Sequence, residues 1–442
     1  MKVVVVGAGK MGLPLACQLA SMGAEVIACD NNLQLVSSIN EGLMPFDEPG
    51  VGELLRQGLK SGALRASTNL EDSIIGVDVI IVIVPVLLTA QRRADLSAIE
   101  AVTHTISAHL RQGQMVCFET TLPVGTTRAR LRLILELSGL RAGSDFDLVF
   151  SPERVKSGSV LAHLSNVPKI VGGVTSASAF RGQEFYARYL GAPVINVGTL
   201  EAAEFVKLAG MVYRDVNIGL ANELAAYAED LGIHLSSVID AANTDGETRM
   251  LAPGIGVGGH CTPVYPYFLL QDATDRGIAM PLVSNARRIN DKQAARLLDR
   301  VEQTGLTLAD SALLILGLAF RAGVKEHTLS SAFLIQQEAQ RRGARTLLHD
   351  PMYSGAEIKA RGFVPFAMDG GEMPPVIVLN TGHTAYLQPD FAVWREHGVR
   401  LIVDGRNFWS SETVRRAGLG YLAPGTATEE LVPQDEWRYS VN

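Results

Sequence analysis

The feature that most constrains the fold is a glycine-rich turn between an apolar run and a helical segment near the N-terminus. Gly7, Gly9 and Gly12 have the spacing G-x-G-x-x-G and directly follow the run KVVVV at 2–6. An all-apolar, β-branched run predicts a strand that is buried on both faces, as in parallel sheets covered by helices. Asp30 ends a second predicted strand, 18 residues after Gly12. A strand, a glycine turn, a helix and a second strand that ends at an aspartate together predict a βαβ unit.

This arrangement is typical of a dinucleotide site. Gly7 would permit the tight turn, Gly9 the approach of a pyrophosphate to the backbone, and Gly12 the close packing of helix on strand. The helix N-terminus supplies N–H groups and positive potential for the phosphates. Asp30 would accept hydrogen bonds from both ribose hydroxyls and repel a 2′-phosphate, which favours NAD over NADP. A flavin site and a glycine turn without a ligand are the alternatives.

The rest of the chain alternates between strands and helices. Further buried strands are predicted at 77–84, 115–119 and 148–150, with helical stretches between them. This alternation predicts a parallel, doubly wound sheet. The opening pattern returns more weakly from residue 312, where the strand 312–317 ends in glycine and Asp350 follows the next strand. This later part lacks G-x-G-x-x-G, so it need not bind a dinucleotide.

Between these two parts, the stretch 200–242 is predicted to be a long helix that is apolar on more than one face. Such a helix is buried, here against the rest of the chain or against a second copy of it. The predicted fold class is α/β, with two Rossmann-like doubly wound domains joined by a long central helical segment. The predicted domains are an NAD-binding domain at 1–198, a helical dimerisation segment with a cysteine loop at 199–303 and a nucleotide-sugar-binding domain at 304–442. The residues from Pro424 onward are predicted to form a loose tail.

Composition and charge narrow the class of protein. Hydrophobic residues make up 47% and charged residues 19%, which excludes a disordered chain. The net charge of −7 disfavours a general nucleic-acid binder. The four cysteines form neither a disulfide framework nor the paired spacing of a zinc site, so we expect no metal and a reducing cytoplasm. We expect no signal peptide, and no apolar run reaches the roughly 20 residues that span a bilayer.

Two side chains stand out as candidates for chemistry. Cys261 follows the glycine-rich loop 254–259, which bares backbone N–H groups, and a thiol there can act as a nucleophile if its pKa is lowered. The adjacent His260 is more simply explained as a polar loop residue than as a base. Lys207 lies on an apolar helix, where burial lowers the pKa of a lysine as a proton acceptor requires. A lysine that extends from a dimer face is the alternative.

Several segments together resemble the UDP-glucose/GDP-mannose dehydrogenase family, the nucleotide-sugar 6-dehydrogenases. In chain order they are VGAGKMGLPLA, ETTLPVGTT, SPERV, EAAEFVKLAG with YRDVNIGLANELA, PGIGVGGHC, GLAFR and DGRNFW. The segments SPERV and GGHC most resemble those of the branch that oxidises UDP-N-acetylhexosamines. The resemblance implies two successive hydride transfers from sugar C6 to NAD. It also implies a cysteine thiohemiacetal and a thioester on the way to the uronic acid.

The resemblance also implies roles for particular residues. The implied catalytic set is Cys261 as nucleophile, Lys207 for the alcohol proton and the oxyanion, Thr121 beside cofactor and water, and Glu153. The implied cofactor-binding set is Gly7, Gly9, Lys10, Met11, Gly12, Asp30, Pro85 and Thr121. The implied substrate-binding set is Glu153, Arg154, Val155, Lys207, Arg214, Arg249, Gly258, Arg321 and Arg406. Without the resemblance, Glu153 could equally start a helix, Thr121 end a strand and Arg321 be a surface cation.

Some positions near the expected chemistry depart from the family pattern. Met211 stands one helical turn after Lys207, where the family usually has asparagine, and a thioether donates no hydrogen bond. The loss of one oxyanion donor typically lowers the rate by about 10²–10³. Tyr265 replaces the aspartate that usually follows the cysteine by four residues. The other departures are Val86 for a threonine, Glu247 for an arginine and Thr328 for an arginine.

We therefore expect an NAD-dependent nucleotide-sugar dehydrogenase that is cytoplasmic and homodimeric and binds neither nucleic acid nor membrane. The departures leave two alternatives open. One is an enzyme that performs a single two-electron oxidation, or an oxidation followed by re-reduction. The other is a non-catalytic protein that binds a nucleotide sugar or NAD. The sequence names neither the sugar nor the base, and both a polysaccharide precursor and a specialised metabolite are open as products.

Overall fold

The computed structural model describes residues 1–368 and 371–426. The chain divides into two compact units, of which the first comprises Met1–Gly210 and Tyr267–Ile278. The second comprises Met211–Pro266 and Ala279–Asn442. The prediction of a loose tail from Pro424 is wrong at its start, because 424–426 are buried and the N–H of Gly425 bonds to the carboxylate of Glu229 at 2.7 Å. The rest of the predicted tail lies outside the described residues, and the three predicted domains stay predictions.

The first unit is built from strands that alternate with helices. Its strands are β1 Lys2–Val6, β2 Glu25–Cys29, β3 Leu64–Ser67, β4 Val79–Val82, β5 Leu87–Leu88, β6 Ala94–Asp95, β7 Met115–Phe118, β8 Asp147–Phe150, β9 Lys169–Gly173 and β10 Val194–Thr199. Its helices are α1 Gly12–Ser21, α2 Leu33–Asn40, α3 Val51–Ser61, α4 Leu70–Ile74, α5 Ser97–His109, α6 Arg132–Leu135, α7 Val160–Asn166 and α8 Ser176–Tyr189. A π-helical turn at Thr127–Leu131 precedes α6, and a 3₁₀ turn at Glu136–Ser138 follows it.

Eight of these strands form one sheet in the order β10-β9-β8-β7-β4-β1-β2-β3. Its neighbouring strands are parallel except for β8 and β9, which pair antiparallel. The strands β5 and β6 form a separate antiparallel hairpin. Because the glycine turn directly follows β1, it lies at the carboxyl edge of the parallel strands, where ligands of such sheets bind.

Two helices contribute residues to both units, α9 Leu200–Asp230 and α11 Tyr265–Asp275. The prediction of one helix over 200–242 is wrong at its end, because α9 stops at Asp230 and a separate helix begins at Leu235. Gly232 adopts a left-handed φ of 70°, and the N–H of Ile233 bonds to the carbonyl of Ala228. A glycine in this conformation with this hydrogen bond ends a helix.

The second unit also alternates strands with helices. Its strands are β11 Ala312–Leu316, β12 Arg345–His349, β13 Val364–Pro365, β14 Val376–Leu379, β15 Leu401–Asp404 and β16 Gly420–Leu422. Its other helices are α10 Leu235–Ala242, α12 Pro281–Asp291, α13 Gln293–Gln303, α14 Ser331–Arg341, α15 Gly355–Lys359, α16 Phe391–Glu396 and α17 Ser411–Arg416. Short 3₁₀ turns lie at Asn243–Asp245 and Thr384–Tyr386.

The sheet of the second unit is parallel throughout, in the order β13-β12-β11-β14-β15-β16. Side chains of β11 alternate between two cores. Leu313 and Ile315 belong to one hydrophobic cluster, and Leu314 and Leu316 belong to the other. A parallel sheet covered on both faces explains why this strand reads as a continuous apolar run. The prediction of an α/β fold with two Rossmann-like units and a helical segment between them is confirmed.

Among the described residues, no helix has both the length and the apolar character that crossing a membrane requires.

Candidate active site

The glycine turn after β1 has the geometry of an open phosphate cradle. Gly7 adopts a φ of 100° and its N–H bonds to the carbonyl of Cys29 at 2.8 Å, so the turn is fixed to the end of β2. Gly12 begins α1 so close to the turn that a Cβ would lie 1.8 Å from the Gly7 carbonyl oxygen. At Gly9 a Cβ would meet no heavy atom within 4 Å. This space at the N-terminus of α1 fits a pyrophosphate.

Asp30 is fixed beside this turn by backbone donors. Its Oδ2 accepts a hydrogen bond from the N–H of Ala8 at 2.9 Å, and its Oδ1 accepts one from Asn32 at 3.0 Å. The carboxylate therefore lies at the carboxyl edge of β1 and β2 and is only half-buried. Lys10 is exposed in the turn, and Pro85 is exposed after β4.

We expect Gly12→Ala to destabilise the ligand-free protein by about 1–3 kcal/mol, because the added methyl group would overpack a backbone contact. We expect the matched variant Gly9→Ala to keep the stability of the native protein, since its methyl group would enter open space. The Gly9 variant should instead bind NAD more weakly. Thermal unfolding and NAD titration of both variants test this, and a Gly9 variant that is the less stable of the two would contradict it.

The second unit has an equivalent turn after β11, but there the acidic side chain beside the turn is buried. Gly317 follows β11 with a φ of 96°, and its N–H bonds to His349 at 2.8 Å. Asp350 Oδ2 accepts hydrogen bonds from Leu318 and Ala319, and His383 Nε2 lies 3.2 Å from it. Although burial opposes ionisation, these hydrogen bonds keep the pKa of Asp350 below its usual value. The carboxylate is buried, so unlike Asp30 it is not accessible to a ribose.

In the first unit, Lys207 is paired with the segment that follows β8. Its Nζ donates to the carbonyl oxygen of Glu153 at 2.6 Å and lies 3.5 Å from Glu153 Oε2. The Lys207 side chain is 6% exposed. The alternative of a lysine that extends from a dimer face therefore does not describe this side chain. A lysine held in this way can accept a proton from a bound alcohol in its neutral amine form, if the substrate reaches it.

The segment that carries Glu153 is irregular backbone, so Glu153 does not start a helix. Its own carboxylate accepts a hydrogen bond from the N–H of Val155. Arg154 is exposed and donates to the carbonyl of Pro168 at 3.4 Å, while Val155 packs against the core of the unit. Thr121 is buried just beyond β7.

A buried ionic network lies behind this segment, and sequence reasoning missed it. Lys169 Nζ and the hydroxyl of Tyr186 both bond to the carboxylate of Glu119 at 2.6 Å. Glu119 in turn accepts a backbone hydrogen bond from Glu153 at 3.1 Å. The only local signal was the charge of Glu119 directly after the apolar strand β7. The backbone bond ties the Glu153 segment to the residue that ends β7, and the ion pair and the tyrosine hydroxyl satisfy the buried carboxylate of that same residue.

In the second unit, Cys261 ends a glycine loop that is packed tightly against the residues after β11. A Cβ at Gly258 would lie 2.7 Å from Phe320 Cβ, and the N–H of Gly259 bonds to the carbonyl of Thr328 at 2.8 Å. The Cys261 side chain is half-buried, and its carbonyl accepts from the N–H of Tyr265 at 2.9 Å. The thiol is thus presented at the start of α11.

Arg406 braces the same loop through its guanidinium. Its Nη1 donates to the carbonyl of Gly256 at 3.0 Å, and its Nε donates to the carbonyl of Asn380 at 2.7 Å. Burial lowers the pKa of Arg406 to about 10, against the opposing charge of Asp404. Arg406 therefore has a structural partner on the loop, and its contact with a substrate stays a prediction.

The remaining predicted residues are more accessible. Arg214 and Arg249 are exposed and Arg321 is half-buried. The Asn217 side chain holds the loop at Arg249 by donating to its carbonyl at 2.7 Å. His260 is largely exposed, with its Nε2 3.8 Å from the buried carboxylate of Glu326.

The departures from the family pattern fall into two groups. Met211 and Tyr265 are half-buried on helices, one turn after Lys207 and one turn after Cys261, and neither carries a charge. Glu247 is exposed, Val86 is buried, and Thr328 contacts the glycine loop through its carbonyl.

The chain matches one family along most of its length. Residues 1–190 match the NAD binding domain of the UDP-glucose/GDP-mannose dehydrogenase family, 201–292 its central domain and 314–411 its UDP binding domain. The UDP-N-acetyl-D-mannosamine dehydrogenase of Pyrococcus horikoshii is 31% identical over 430 residues, covering 96% of this chain and 99% of that protein. The NDP-N-acetyl-D-galactosaminuronic acid dehydrogenase of Ralstonia nicotianae is 32% identical over 430 residues, covering 93% and 96%.

Solved structures agree with these sequence relationships. The structure of the UDP-D-ManNAc dehydrogenase from Pyrococcus horikoshii superimposes with a TM-score of 0.88 at 30% identity, covering 97% of this chain and 100% of that chain. The UDP-N-acetyl-mannosamine dehydrogenase from Staphylococcus aureus gives a TM-score of 0.82 at 28% identity, covering 96% and 99%.

Proposed function

This chain belongs to the UDP-glucose/GDP-mannose dehydrogenase family and is an NAD-dependent nucleotide-sugar dehydrogenase, and we propose that it oxidises a UDP-hexose or UDP-N-acetylhexosamine at C6 to the uronic acid. The observation that carries this proposal is the match to two N-acetylhexosamine-type dehydrogenases over nearly the whole of each chain. The family resemblance predicted from the sequence motifs is confirmed, and it lies on the N-acetylhexosamine side of the family.

The residues of the glycine turn fit NAD. The open space at Gly9 and the N-terminus of α1 suit the pyrophosphate, and the carboxylate of Asp30 suits the ribose hydroxyls. When bound, NAD accepts hydride from the sugar carbon. Asp30 disfavours a 2′-phosphate because of charge repulsion, which supports NAD over NADP.

The proposed chemistry assigns one role to each reactive side chain. Lys207, as the neutral amine, takes the proton of the C6 hydroxyl and becomes an ammonium, and departure of hydride from C6 leaves an aldehyde. Cys261 Sγ adds to this aldehyde, and the carbonyl oxygen takes a proton to give a thiohemiacetal. Loss of a second hydride from C6 then gives a thioester and a proton. Water cleaves the C–S bond, which releases the carboxylate and restores the thiol.

The burial of Lys207 supports its assigned role. Its side chain is held by Glu153 and shielded from water, and a positioned acid–base group is most effective in such a site. Glu153 provides the carbonyl and the carboxylate that orient the Lys207 nitrogen. The exposed Arg214, the half-buried Arg321 and Arg406 are proposed to lie near the nucleotide part of the substrate.

The test is the number of NADH molecules formed per sugar consumed. Purified protein is incubated with excess NAD and a panel of UDP-, GDP- and dTDP-sugars. We expect two NADH per sugar with a UDP-N-acetylhexosamine or a UDP-hexose, and a carboxylate as the product. NADP in place of NAD is the matched control and should support far less turnover. No NADH from any member of the panel would overturn the proposal.

A second candidate is an enzyme that removes only two electrons. Met211 and Tyr265 favour it, because neither side chain supplies the amide donor or the carboxylate that the family pattern has at these positions. Such an enzyme would form one NADH per sugar and release an aldehyde or ketone. The same stoichiometry measurement therefore separates the two candidates.

A cytoplasmic homodimer is part of the proposal. Along α9, Tyr213, Leu220 and Tyr227 are each at least half exposed, and their seven-residue spacing puts them on one face. Exposed apolar side chains aligned on one helix face favour a protein partner, and a second copy of the helix offers the same surface. Light scattering of the purified protein at several concentrations tests this state.

A further inference from the structure

A fully buried carboxylate on α9 holds the segment that follows β7. Glu204 is 0% exposed. Its Oε1 accepts hydrogen bonds from the N–H of Thr127 at 2.9 Å and from the Thr127 hydroxyl at 2.6 Å. Its Oε2 accepts one from the N–H of Gly125 at 2.5 Å. Three donors from one short segment thus converge on a single carboxylate.

The donors come from the beginning of a helix. The turn Thr127–Leu131 opens the helical stretch that continues as α6, and the first N–H groups of a helix have no partner within it. No side chain of the preceding Thr126 caps this helix. Glu204 therefore caps it from another element, with a negative charge at the positive end of the helix dipole.

The same turn of α9 carries Lys207. Residues three apart on a helix lie on neighbouring positions of one face, so Glu204 and Lys207 point from adjacent places on α9. Glu204 reaches forward to the 121–127 segment, which contains Thr121, and Lys207 reaches to Glu153. The helix thereby sets the spacing of the two segments that carry the proposed catalytic groups.

We propose that Glu204 is a positioning residue for the first hydride transfer, because its carboxylate fixes the 121–127 segment relative to Lys207. The inference rests on the proposed function of Thr121 and Lys207. Glu204 itself is fully buried, so the proposal gives it no contact with substrate or cofactor. It acts by keeping Thr121 in place beside the cofactor, and a displaced group in an active site lowers the rate without abolishing binding.

The ionisation of Glu204 should make kcat depend on pH. Burial raises the pKa of Glu204 to about 7, although hydrogen bonds from Thr127 and Gly125 lower it, and the nearby charge of Glu201 raises it further. The facing charged groups are Glu201 on α9 and Arg128, which bonds to Glu201 at 2.5 Å. When Glu204 is protonated, one carboxyl oxygen carries a hydrogen of its own while all three neighbouring groups are donors. One of the three hydrogen bonds is therefore lost below pH 7.

The first test is Glu204→Gln, which keeps the shape but puts an amide donor where an acceptor is needed. We expect kcat to fall about tenfold or more, as the loss of a hydrogen bond to a charged group predicts. KM for the nucleotide sugar should stay within a factor of about two, because only transition-state positioning is removed. The amides of Gly125 and Thr127 should exchange with solvent about tenfold faster.

The matched control is Glu201→Gln on the same helix. Glu201 also contacts the 121–131 region, through Arg128, but this ion pair is about one-third exposed. Exposed ion pairs contribute little, so we expect unchanged kcat and unchanged amide exchange. An effect of Glu201→Gln as large as that of Glu204→Gln would overturn the proposal, since any charge change on α9 would then do the same.

Two further measurements cover the case in which Glu204→Gln does not fold. Thr127→Val removes one of the three donors and should lower kcat, and Thr127→Ser should restore it. In the native protein kcat should rise from pH 6 to pH 8 together with the protection factor of the Gly125 amide, which is its exchange rate relative to that of an unprotected amide at the same pH. Unchanged kcat in Thr127→Val, or a protection factor that does not vary with pH, would overturn the proposal.

The experiment separates failure of this inference from failure of the proposed function. If no nucleotide sugar yields NADH, the proposed function fails, while amide exchange still reports whether Glu204 holds the segment. If the native protein turns over and Glu204→Gln matches it in kcat, the positioning role alone fails.

Discussion

Cys261→Ala should abolish formation of the uronic acid, and NADH formation should stop at no more than one molecule per sugar. Without Sγ the aldehyde from the first oxidation forms no thiohemiacetal, and the hydrogen on C6 cannot leave as hydride until a nucleophile has added to the carbonyl carbon. Loss of a covalent nucleophile lowers the rate of its step by about 10³ or more. The measurement is NADH per sugar, with the carboxylate and the aldehyde quantified by mass spectrometry.

The matched control for this prediction is Cys117→Ala. Cys117 lies in the middle of the first sheet, and burial raises the pKa of its thiol to about 12, so it never serves as a thiolate near neutral pH. We expect this variant to keep two NADH per sugar. A Cys261→Ala variant that still yields two NADH would rule out the thioester route. One that loses the first hydride transfer as well would rule out the two-electron alternative.

How far the sequence predicts the fold depends on how each strand is buried. The strand β1 is predicted with its observed bounds, because it is an apolar run in a sheet covered by helices. The prediction missed β3, β9 and β10. The strand β3 lies at the edge of the sheet and alternates buried with exposed residues, while β9 ends in two glycines, and β10 is mostly exposed. Short strands with such patterns resemble loops when only apolar runs are counted.

The candidate site also contains some features that the sequence predicts and others that it does not. The glycine turn could be predicted because its parts are contiguous and their spacing has a physical reason. Glu119 and Glu204 could not, because their partners lie 50 and 77 residues away in the chain. A carboxylate beside an apolar run gives no sign of whether it faces solvent or a buried donor. Only the fold brings Lys169 to Glu119, or Thr127 to Glu204.

The equivalent turns of the two units show that a similar sequence pattern does not decide whether the acidic side chain beside the turn is accessible. Gly317 and Asp350 occupy the same places in their unit as Gly7 and Asp30 do in theirs. The difference lies in His383, which comes from a later strand end and contacts the carboxylate of Asp350. The weak return of the opening pattern thus predicts the architecture of the second unit, while the loss of an accessible carboxylate depends on this distant contact.

Lys207→Met should lower kcat for the first hydride transfer by about 10²–10⁴, the range typical for loss of a general acid–base group. Methionine has a similar length and no charge, so the buried site stays filled. The affinity for NAD should be unchanged, because the glycine turn and Asp30 are untouched. Single-turnover NADH formation at saturating sugar measures this step, and NAD titration measures the affinity.

The variant Lys207→Arg separates charge from proton transfer. A guanidinium keeps a positive charge beside the carbonyl of Glu153, but it stays protonated and cannot accept the proton of the sugar hydroxyl. If Lys207 works as a proton acceptor, the arginine variant is as slow as the methionine variant. If the arginine variant recovers most of the native rate, the positive charge is what matters, and Lys207 stabilises the oxyanion instead. A Lys207→Met variant within tenfold of the native rate would exclude both roles, and the buried pair with Glu153 would then be structural.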